Sequence, residues 1–438
     1  MSLNDFKAYF KQHTLLKITS LNSLVICVRL FVSVFIQNLL AETVGASGLA
    51  KVGQIRNLIS IVTSTSSLGV FNGVVKYTSE LKEDKILLNK MFSTTFVFIV
   101  VGVLFSSLTL LLFSNTIAVY LFGDIEFVFV IKLLAVIVPS IALNKVFSGV
   151  LNGLSAYKKY AKIELFSYLL SSVLFVSFLL QFNLNGVLVA IAITPVLQLL
   201  VSIFVFGKTL KKYIKLDTLK LNNIYFKGLL VFTIMSLVST VLLNFVEIDI
   251  RTQISNRISE DEAGNWTAML FLSKNYMVFS SGLFTLYVIP KFARIQAGME
   301  FKKEVIHIYK TLIPLFGIGM VIIYLFRNVI VNIIYPDFDA MEPLFKWQLL
   351  GDFVKIASLV IAHQFLAKKM LVSFVVTEII SLALFYGLSI FLVGIYGTEG
   401  VVMAHFFRYI IYFFMVLIII WYSFKFKKIS VSKPQDTV

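Results

Sequence analysis

The chain has 438 residues, of which 58% are hydrophobic, 15% aromatic and only 14% charged. Because a soluble globular domain carries about 25% charged residues, this composition indicates an integral membrane protein. At roughly 20 apolar residues per crossing, the length accommodates about a dozen helices and leaves no room for a separate soluble domain. The net charge of +16 is dispersed over short loops, which argues against nucleic acid and for anionic membrane lipids as partners.

Apolar stretches along the chain predict twelve membrane-spanning helices. In chain order, the predicted spans are 18–40, 52–75, 91–113, 127–152, 163–181, 186–206, 225–247, 266–289, 305–326, 343–366, 371–393 and 400–422. We therefore expect an all-α integral membrane fold.

The loop charges alternate between the two sides of the membrane. Loops on one side are rich in lysine, as at Lys158 and Lys159, whereas the opposite loops hold few cations, among them Arg251, Arg257 and Arg327. Cytoplasmic loops of inner-membrane proteins carry the excess of Lys and Arg. The alternation predicts a multi-pass protein of a bacterial inner membrane with both termini in the cytoplasm. The first apolar stretch is longer than the roughly 7 to 15 residues of a cleavable signal peptide.

The longest cytoplasmic linker, 207–227, divides the chain into two equal sets of spans. We predict an N-terminal six-helix lobe at 1–212 and a C-terminal six-helix lobe at 213–438. Because six is an even number, both lobes have the same orientation, which predicts parallel repeats about an axis along the membrane normal.

Several spans carry polar residues at helical spacing. Arg29, Ser33 and Gln37 lie on one face of the first span. A similar stripe in the second span consists of Arg56, Ser60, Thr63 and Ser67. Further stripes run through the seventh and tenth spans, with the members Thr240, Asn244, Gln348, Asp352 and Lys355.

Charged residues inside a span cost roughly 2.5 to 3.5 kcal/mol each on insertion scales and therefore face a bundle interior or an aqueous cavity. Cations outnumber acids among them, which favours an anionic ligand. The cations are Arg29, Arg56, Lys132, Lys145, Lys274, Lys355 and Arg408, and the acids are mainly Asp352 and Glu378.

Structural roles compete with this interpretation. Lys132 and Lys274 lie near span ends, where their ammonium groups can reach the interface. Asp352 and Lys355 are spaced to form an ion pair within one helix. Glu378 is either an acid that titrates during transport or a buried structural acid.

Motifs for catalysis are missing from the sequence. It contains no Gly-rich phosphate loop followed by Lys, and His13, His307, His363 and His405 lack metal-ligand spacing. The longest predicted outside loop, 248–265, is too short to fold around a catalytic centre. We therefore expect a transporter without a metal or cofactor, and not an enzyme.

Three segments resemble Wzx-type flippases, particularly the branch that handles enterobacterial common antigen and similar O-antigen units. They are the run from Gly69 to Tyr77 after Arg56, the run from Trp347 to Lys355, and the acidic pair that precedes Trp266. The resemblance extends over the whole chain. It implies the multidrug/oligosaccharidyl-lipid/polysaccharide exporter superfamily, with two six-helix lobes forming a MATE-like V around a central cavity.

The resemblance also implies a substrate, an undecaprenyl-pyrophosphate-linked oligosaccharide that moves from the cytoplasmic to the periplasmic leaflet by alternating access. We expect Arg29 and Arg56, then Lys274 and Lys355, to contact the diphosphate, since Arg offers paired donors to phosphate oxygens. Thr240, Asn244 and Gln348 are predicted to bind sugar hydroxyls. The family implies ion coupling, to protons or sodium, for which Asp352 and Glu378 are the available acids. The polysaccharide polymerase and chain-length machinery are candidate partners.

Two other functions fit the sequence less well. A MATE-like ion-coupled exporter of a small solute would share the fold, but its usual organic cations would favour an acidic cavity. A membrane-embedded polysaccharide polymerase would be expected to have a large periplasmic loop.

Overall fold

A computed structural model describes residues 14–213, 224–295, 297–368 and 370–430. Both termini, residues 214–223 of the predicted 207–227 linker, Gln296 and Lys369 lie outside these residues. The chain forms two compact units, Met1–Ile248 and Asp249–Val438. The predicted lobe boundary at 212/213 stays a prediction.

The described part of the first unit consists mainly of helices. Its helices, in chain order, are α1 Thr14–Ser66, α2 Phe71–Leu81, α3 Lys85–Leu112, α4 Ser114–Phe122, α5 Val128–Gly153, α6 Tyr157–Tyr213 and α7 Phe226–Ser236. A 3-10 turn at Ile125–Phe127 precedes α5, and a π-helix at Leu237–Leu242 follows α7. Helix α8, Leu243–Arg257, extends from the first unit into the second.

The second unit is built in the same way. Its further helices are α9 Glu260–Leu283, α10 Ile289–Arg294, α11 Gly298–Leu325, α12 Arg327–Ile334, α13 Leu344–Ala367, α14 Leu371–Tyr396 and α15 Glu399–Ser430. A π-helix at Phe284–Val288 joins α9 to α10, and a 3-10 turn at Asp339–Met341 precedes α13.

The predicted all-α membrane fold is confirmed. Within the described residues, nine helical stretches are long and apolar enough to cross a membrane. Two of them, Cys27–Ser66 and Lys158–Leu210, have 40 and 53 residues, which is the length of two crossings each at about 20 residues per crossing. The charged helix α9 is not one of these nine stretches. If each of the two long stretches crosses twice and α9 also crosses, the nine stretches agree with about twelve spans.

Single residues interrupt the two longest helices. Gly45 in α1 has φ +65° and Asn183 in α6 has φ +49°. Glycine reaches a positive φ without steric strain, whereas a positive φ is uncommon for other residues and marks a break in the helix at Asn183. The two halves of α6 lie side by side, because Lys159 donates a hydrogen bond to Thr209 near the opposite end of the helix. The kink at Asn183 therefore makes α6 a helical hairpin.

The predicted end of the second span is wrong. The second span was expected to reach residue 75, but α1 ends at Ser66, and Leu68 and Gly69 have φ of 45° and 61°. A side chain at Gly69 would collide with Ser236, so the turn is fitted closely against the seventh span.

The predicted outside loop at 248–265 is mostly helical. Helix α8 continues to Arg257, and the Ser259 hydroxyl accepts a 3.1 Å hydrogen bond from the Glu262 amide at the start of α9. The acidic residues there form a first helical turn, where negative charge is favourable. Arg251, expected in the loop, is only 1% exposed; it donates to Thr267 at 2.7 Å and lies 5.2 Å above the Trp266 ring.

Polar contacts attach the seventh span to α1 within the first unit. Asn57 Nδ2 donates to Glu247 Oε2 at 3.1 Å, and Gln54 Nε2 donates to the Ile248 carbonyl at 3.3 Å. The Ser64 and Ser236 hydroxyls lie 3.1 Å apart. These bonds explain why the compact unit extends to residue 248.

Glycine at position 102 permits close packing of α3 on α1. A Cβ atom on Gly102 would collide with the Ser66 carbonyl and lie 2.6 Å from the Thr65 carbonyl. We expect Gly102→Ala to destabilise the protein by about 1 to 3 kcal/mol, the usual cost of overpacking. Thermal unfolding in detergent measures the effect.

The matched control is Gly387→Ala in α14, where a Cβ would have no atom within 4 Å. Alanine is favoured over glycine in helices by up to about 1 kcal/mol, so this variant should be as stable as the wild type or slightly more so. Equal unfolding temperatures for both variants would contradict the packing argument.

Candidate functional site

The first unit contains a cavity of about 600 Å³ among α1, α5 and both halves of α6. Arg56, Ser60 and Thr63 of the second predicted stripe line it, together with Ser33 and Gln37 of the first. The spacing of the polar residues thus correctly indicated a shared surface.

Charged side chains give the cavity its electrostatic character. The cations Arg56 and Lys145 and the acid Glu164 line it. The Lys145 ammonium lies 4.6 Å from the centre of the Phe71 ring, a cation–π contact. Arg29 reaches the same group, because its Nη1 donates to Glu164 Oε2 at 2.9 Å. Counting Arg29, three cations therefore accompany one acid.

Tyr168 holds Arg29 in position from α6. Its ring centre is 5.1 Å from the Arg29 guanidinium carbon, and its hydroxyl donates to the Arg29 carbonyl at 3.0 Å. The ring and hydroxyl together fix both the side chain and the backbone of Arg29.

Uncharged polar groups make up much of the remaining lining. Hydroxyls in the middle of α1 bond to carbonyls one turn earlier, as in Ser60 to Arg56 at 2.9 Å and Thr63 to Ile59 at 2.7 Å. This bonding lets hydroxyls sit inside an apolar helix. Other lining groups are Ser148, Ser171, Ser172, Thr194 and Gln198.

Asn144 and Pro195 form a neutral polar surface in the same cavity. Asn144 Nδ2 donates to the Pro195 carbonyl at 2.5 Å, whereas its Oδ1 has no hydrogen-bond partner in the structure. Because proline lacks an N–H, it also leaves the Ile191 carbonyl without its usual helical donor. Asn144, Ile191 and Pro195 all line the cavity, so this part of its wall is polar but uncharged.

A second polar cluster surrounds Asp352 in the other unit. This carboxylate is completely buried. Its Oδ2 accepts hydrogen bonds from Ser273 and Tyr276, each at 2.5 Å, and from Gln348 at 3.0 Å. His405 Nε2 lies 3.1 Å from Oδ1. Four partners offset the large cost of burying a carboxylate.

Glycine at position 351 lets this cluster form. A Cβ atom there would collide with the His405 ring and come within 3.2 Å of the Phe406 amide. Helices α13 and α15 therefore approach closely enough for His405 to reach Asp352.

Glu378, Lys355 and Arg408 extend the polar groups of the second unit. Glu378 Oε1 accepts from the Tyr412 hydroxyl at 3.2 Å, and Arg408 Nε donates to the Ser381 hydroxyl at 2.8 Å. The Lys355 ammonium is 5.6 Å from the Tyr409 ring centre, and the Arg408 guanidinium is 4.7 Å from it.

The remaining predicted site residues are more scattered. Asn244 donates to the Thr240 carbonyl at 2.7 Å, and both side chains are half-buried in the seventh span of the first unit. Gln348 lies in the second unit, so the predicted sugar-binding residues are divided between the units. Lys274 is exposed on α9.

Several residues of the two clusters were missed in the sequence. Glu164 lies one helical turn from Tyr160 and from Tyr168, a stripe that the spacing could have revealed. It stood at the edge of a predicted span, among loop charges. His405 was expected to have an ordinary polar role, and no sequence spacing links it to Asp352, which lies on another helix.

No protein-family model matches this chain. A curated protein named lipid III flippase, from Escherichia coli K12, is 25% identical over 393 residues, which are 88% of this chain and 93% of that protein.

Solved transporter structures match the fold. An inward-facing MATE-family multidrug resistance transporter of the MOP superfamily gives a TM-score of 0.73 at 14% identity, over 90% of this chain and 94% of that one. The lipid II flippase MurJ, in an inward closed conformation, gives 0.68 at 16% identity, over 91% and 87%.

These matches confirm the predicted MATE-type helical fold and a multi-pass membrane protein. The relatives are flippases and transporters, which supports a transport role and does not favour a polymerase. The narrower resemblance to Wzx-type flippases stays a prediction.

The hydrogen bond from Ser273 to Asp352 gives a stability prediction. We expect Ser273→Ala to destabilise the second unit by about 1.5 to 3 kcal/mol, since it removes a donor from a buried charged group. Thermal unfolding in detergent would measure the loss.

Ser389→Ala provides the matched control, because Ser389 is also fully buried but its hydroxyl has no partner in the structure. This change should leave stability unchanged or raise it slightly. A larger loss at Ser389 than at Ser273 would refute the importance of the Asp352 bond.

Proposed function

We propose that this protein is a flippase that moves undecaprenyl-pyrophosphate-linked, O-antigen-type oligosaccharide units from the cytoplasmic to the periplasmic leaflet of a bacterial inner membrane. The observation that carries the proposal is the cationic cavity of the first unit, lined by Arg56 and Lys145 and linked through Glu164 to Arg29. Similarity to the E. coli lipid III flippase supports the same class of cargo.

The charge of the cavity suits a diphosphate. Each phosphate charge at about 4 Å from a cation gains roughly 4 kcal/mol near a protein surface, which offsets part of the hydration lost when the headgroup leaves water. Arg29 and Arg56 supply paired donors, and Lys145 adds a third positive charge. In this proposal Lys274 and Lys355 are further diphosphate contacts during the passage.

The neutral lining suits the sugars. The lining contains hydroxyl and amide groups together with the aromatic rings of Tyr160, Phe175 and Phe71, a combination that can bind both the polar edges and the apolar faces of sugar rings. A cavity of about 600 Å³ falls within the usual range of ligand sites, about 300 to 1,000 Å³. Thr240, Asn244 and Gln348 are proposed as additional hydroxyl contacts.

The proposed mechanism is alternating access. The headgroup occupies a cavity open to the cytoplasm while the undecaprenyl tail stays in lipid, and movement of the helical lobes then exposes the headgroup to the periplasm. Both termini remain in the cytoplasm. The product would be consumed by a polysaccharide polymerase with its chain-length machinery.

A MATE-like exporter of a small solute is the second candidate, since a MATE transporter shares the fold. The cavity charge separates the two functions. An organic cation would be repelled by Arg56 and Lys145, whereas a diphosphate would be attracted.

Replacement of the cavity arginines tests the proposal in cells. In a strain that lacks the wild-type protein and any redundant flippase, a lipid-linked oligosaccharide should accumulate in the cytoplasmic leaflet. We expect Arg29→Ala and Arg56→Ala each to lower translocation about tenfold or more, since one bond to a charged group contributes about 1.5 to 3 kcal/mol. Extraction and mass spectrometry of the lipid-linked sugars measure the accumulation.

Arg327→Ala is the control, because Arg327 does not line the cavity and contacts the nearby Tyr324, donating to its carbonyl and lying over its ring. It should restore transport fully. Normal transport by both Arg29→Ala and Arg56→Ala, or no accumulation in the deletion strain, would disprove the proposed function.

Asp352 and Glu378 are the proposed ion-coupling acids. In liposomes, an imposed proton or sodium gradient should accelerate transport by the wild type but not by Asp352→Asn, because an amide cannot exchange charge with the gradient. The control Asp249→Asn changes an acid bonded to Tyr386 and should keep the response. An undiminished response in both Asp352→Asn and Glu378→Gln would contradict the assignment.

A further inference from the structure

Glu164 is the single carboxylate among the cavity-lining side chains of the described first unit. Its Oε2 accepts a 2.9 Å hydrogen bond from Arg29, and its Oε1 lies 3.5 Å from Gln198 Nε2. The two side chains of the ion pair are 44% exposed for Arg29 and 20% for Glu164. The pair can therefore separate without disturbing the buried part of the unit.

A carboxylate and a phosphate offer an arginine the same arrangement of oxygen acceptors. Glu164 thus satisfies Arg29 in the way that a phosphate of the lipid headgroup would. A diphosphate that bound Arg29 with Glu164 still in place would bring like charges side by side, which is unfavourable. The two anions are alternative partners of one guanidinium group.

We infer that Glu164 is an internal competitor of the diphosphate: it holds Arg29 beside the cavity when no substrate is bound, yields Arg29 to the substrate, and takes it back when the substrate leaves. This inference rests on the proposed function, which supplies the diphosphate. Competition lowers the affinity and speeds release. A translocation site needs both properties, since binding must be weak enough for the ligand to leave.

Tyr168 has a different role in this exchange. It follows Glu164 by one turn of α6; its ring centre lies 5.1 Å from the Arg29 guanidinium carbon, and its hydroxyl donates to the Arg29 carbonyl. Arg29 Nη1 donates to Glu164 while both tyrosine contacts are present, so these contacts are compatible with an anionic partner of the guanidinium. Tyr168 is therefore a positioning residue that keeps Arg29 in place while its anionic partner changes.

The test compares Glu164→Gln with the wild type in the purified full-length protein, using undecaprenyl pyrophosphate as the probe. Glutamine keeps the size of the side chain and removes its charge. The dissociation constant should fall about tenfold or more, the scale of one interaction with a charged group, and dissociation should slow. In liposomes, the half-saturating concentration of lipid-linked sugar and the maximal rate should both fall.

Glu126→Gln is the matched control in the same unit. Glu126 is exposed, accepts from Asn185 at 3.3 Å and does not line the cavity, so this variant should bind the probe as the wild type does. In an Arg29→Ala background, Glu164→Gln should produce a much smaller gain in affinity, since Glu164 acts through Arg29.

Three results would overturn the inference: unchanged affinity in Glu164→Gln, weaker binding in that variant, or an equal gain in the presence and absence of Arg29. Each of them leaves the proposed function intact if the wild type binds undecaprenyl pyrophosphate and Arg56→Ala weakens that binding. If instead the proposed function itself is wrong, neither the wild type nor Glu164→Gln will bind the probe.

Discussion

The cost of placing a charge inside a bundle of apolar helices governs this structure. Several buried or half-buried charges are compensated by a partner on another helix: Glu247 by Asn57, Arg251 by Thr267, and Asp352 by donors from α9 and α15. Since apolar contacts with neighbouring helices and with lipid are chemically alike, such polar bonds select which helices become neighbours. Bonds of the same kind form the Asp352 cluster and join Arg29 to Glu164 at the cavity of the first unit.

Much of the fold could be predicted from the sequence, because a span requires a long apolar run whatever surrounds it. The stripe of Arg56, Ser60 and Thr63 was predictable for a related reason, since residues of one helix share a face at fixed spacing. The breaks at Ser66 and Arg257 were missed, because they depend on the backbone of single residues and on a helix cap that resembles a loop.

Contacts between different helices could not be predicted from the sequence. Asp352 was recognised as a candidate, but its partners Ser273 and His405 lie 79 and 53 residues away, and only the packing around Gly351 brings them together. Glu164 was hidden for another reason: it stands beside the lysines that mark the cytoplasmic side. Charge sorting identifies the side of the membrane, but it does not separate an acid that pairs inside a cavity from one that faces water.

The hairpin of α6 has a mechanical consequence. It is closed at Asn183 and fastened at its other end by Lys159 and Thr209, with Gln198 and Glu164 in contact between the two. Two helices joined at both ends resist bending and relative sliding better than two unconnected helices. Glu164, Tyr168, Ile191 and Pro195 should therefore move together as one stiff wall, so that any change in the width of the cavity arises from its other helices, α1, α2 and α5.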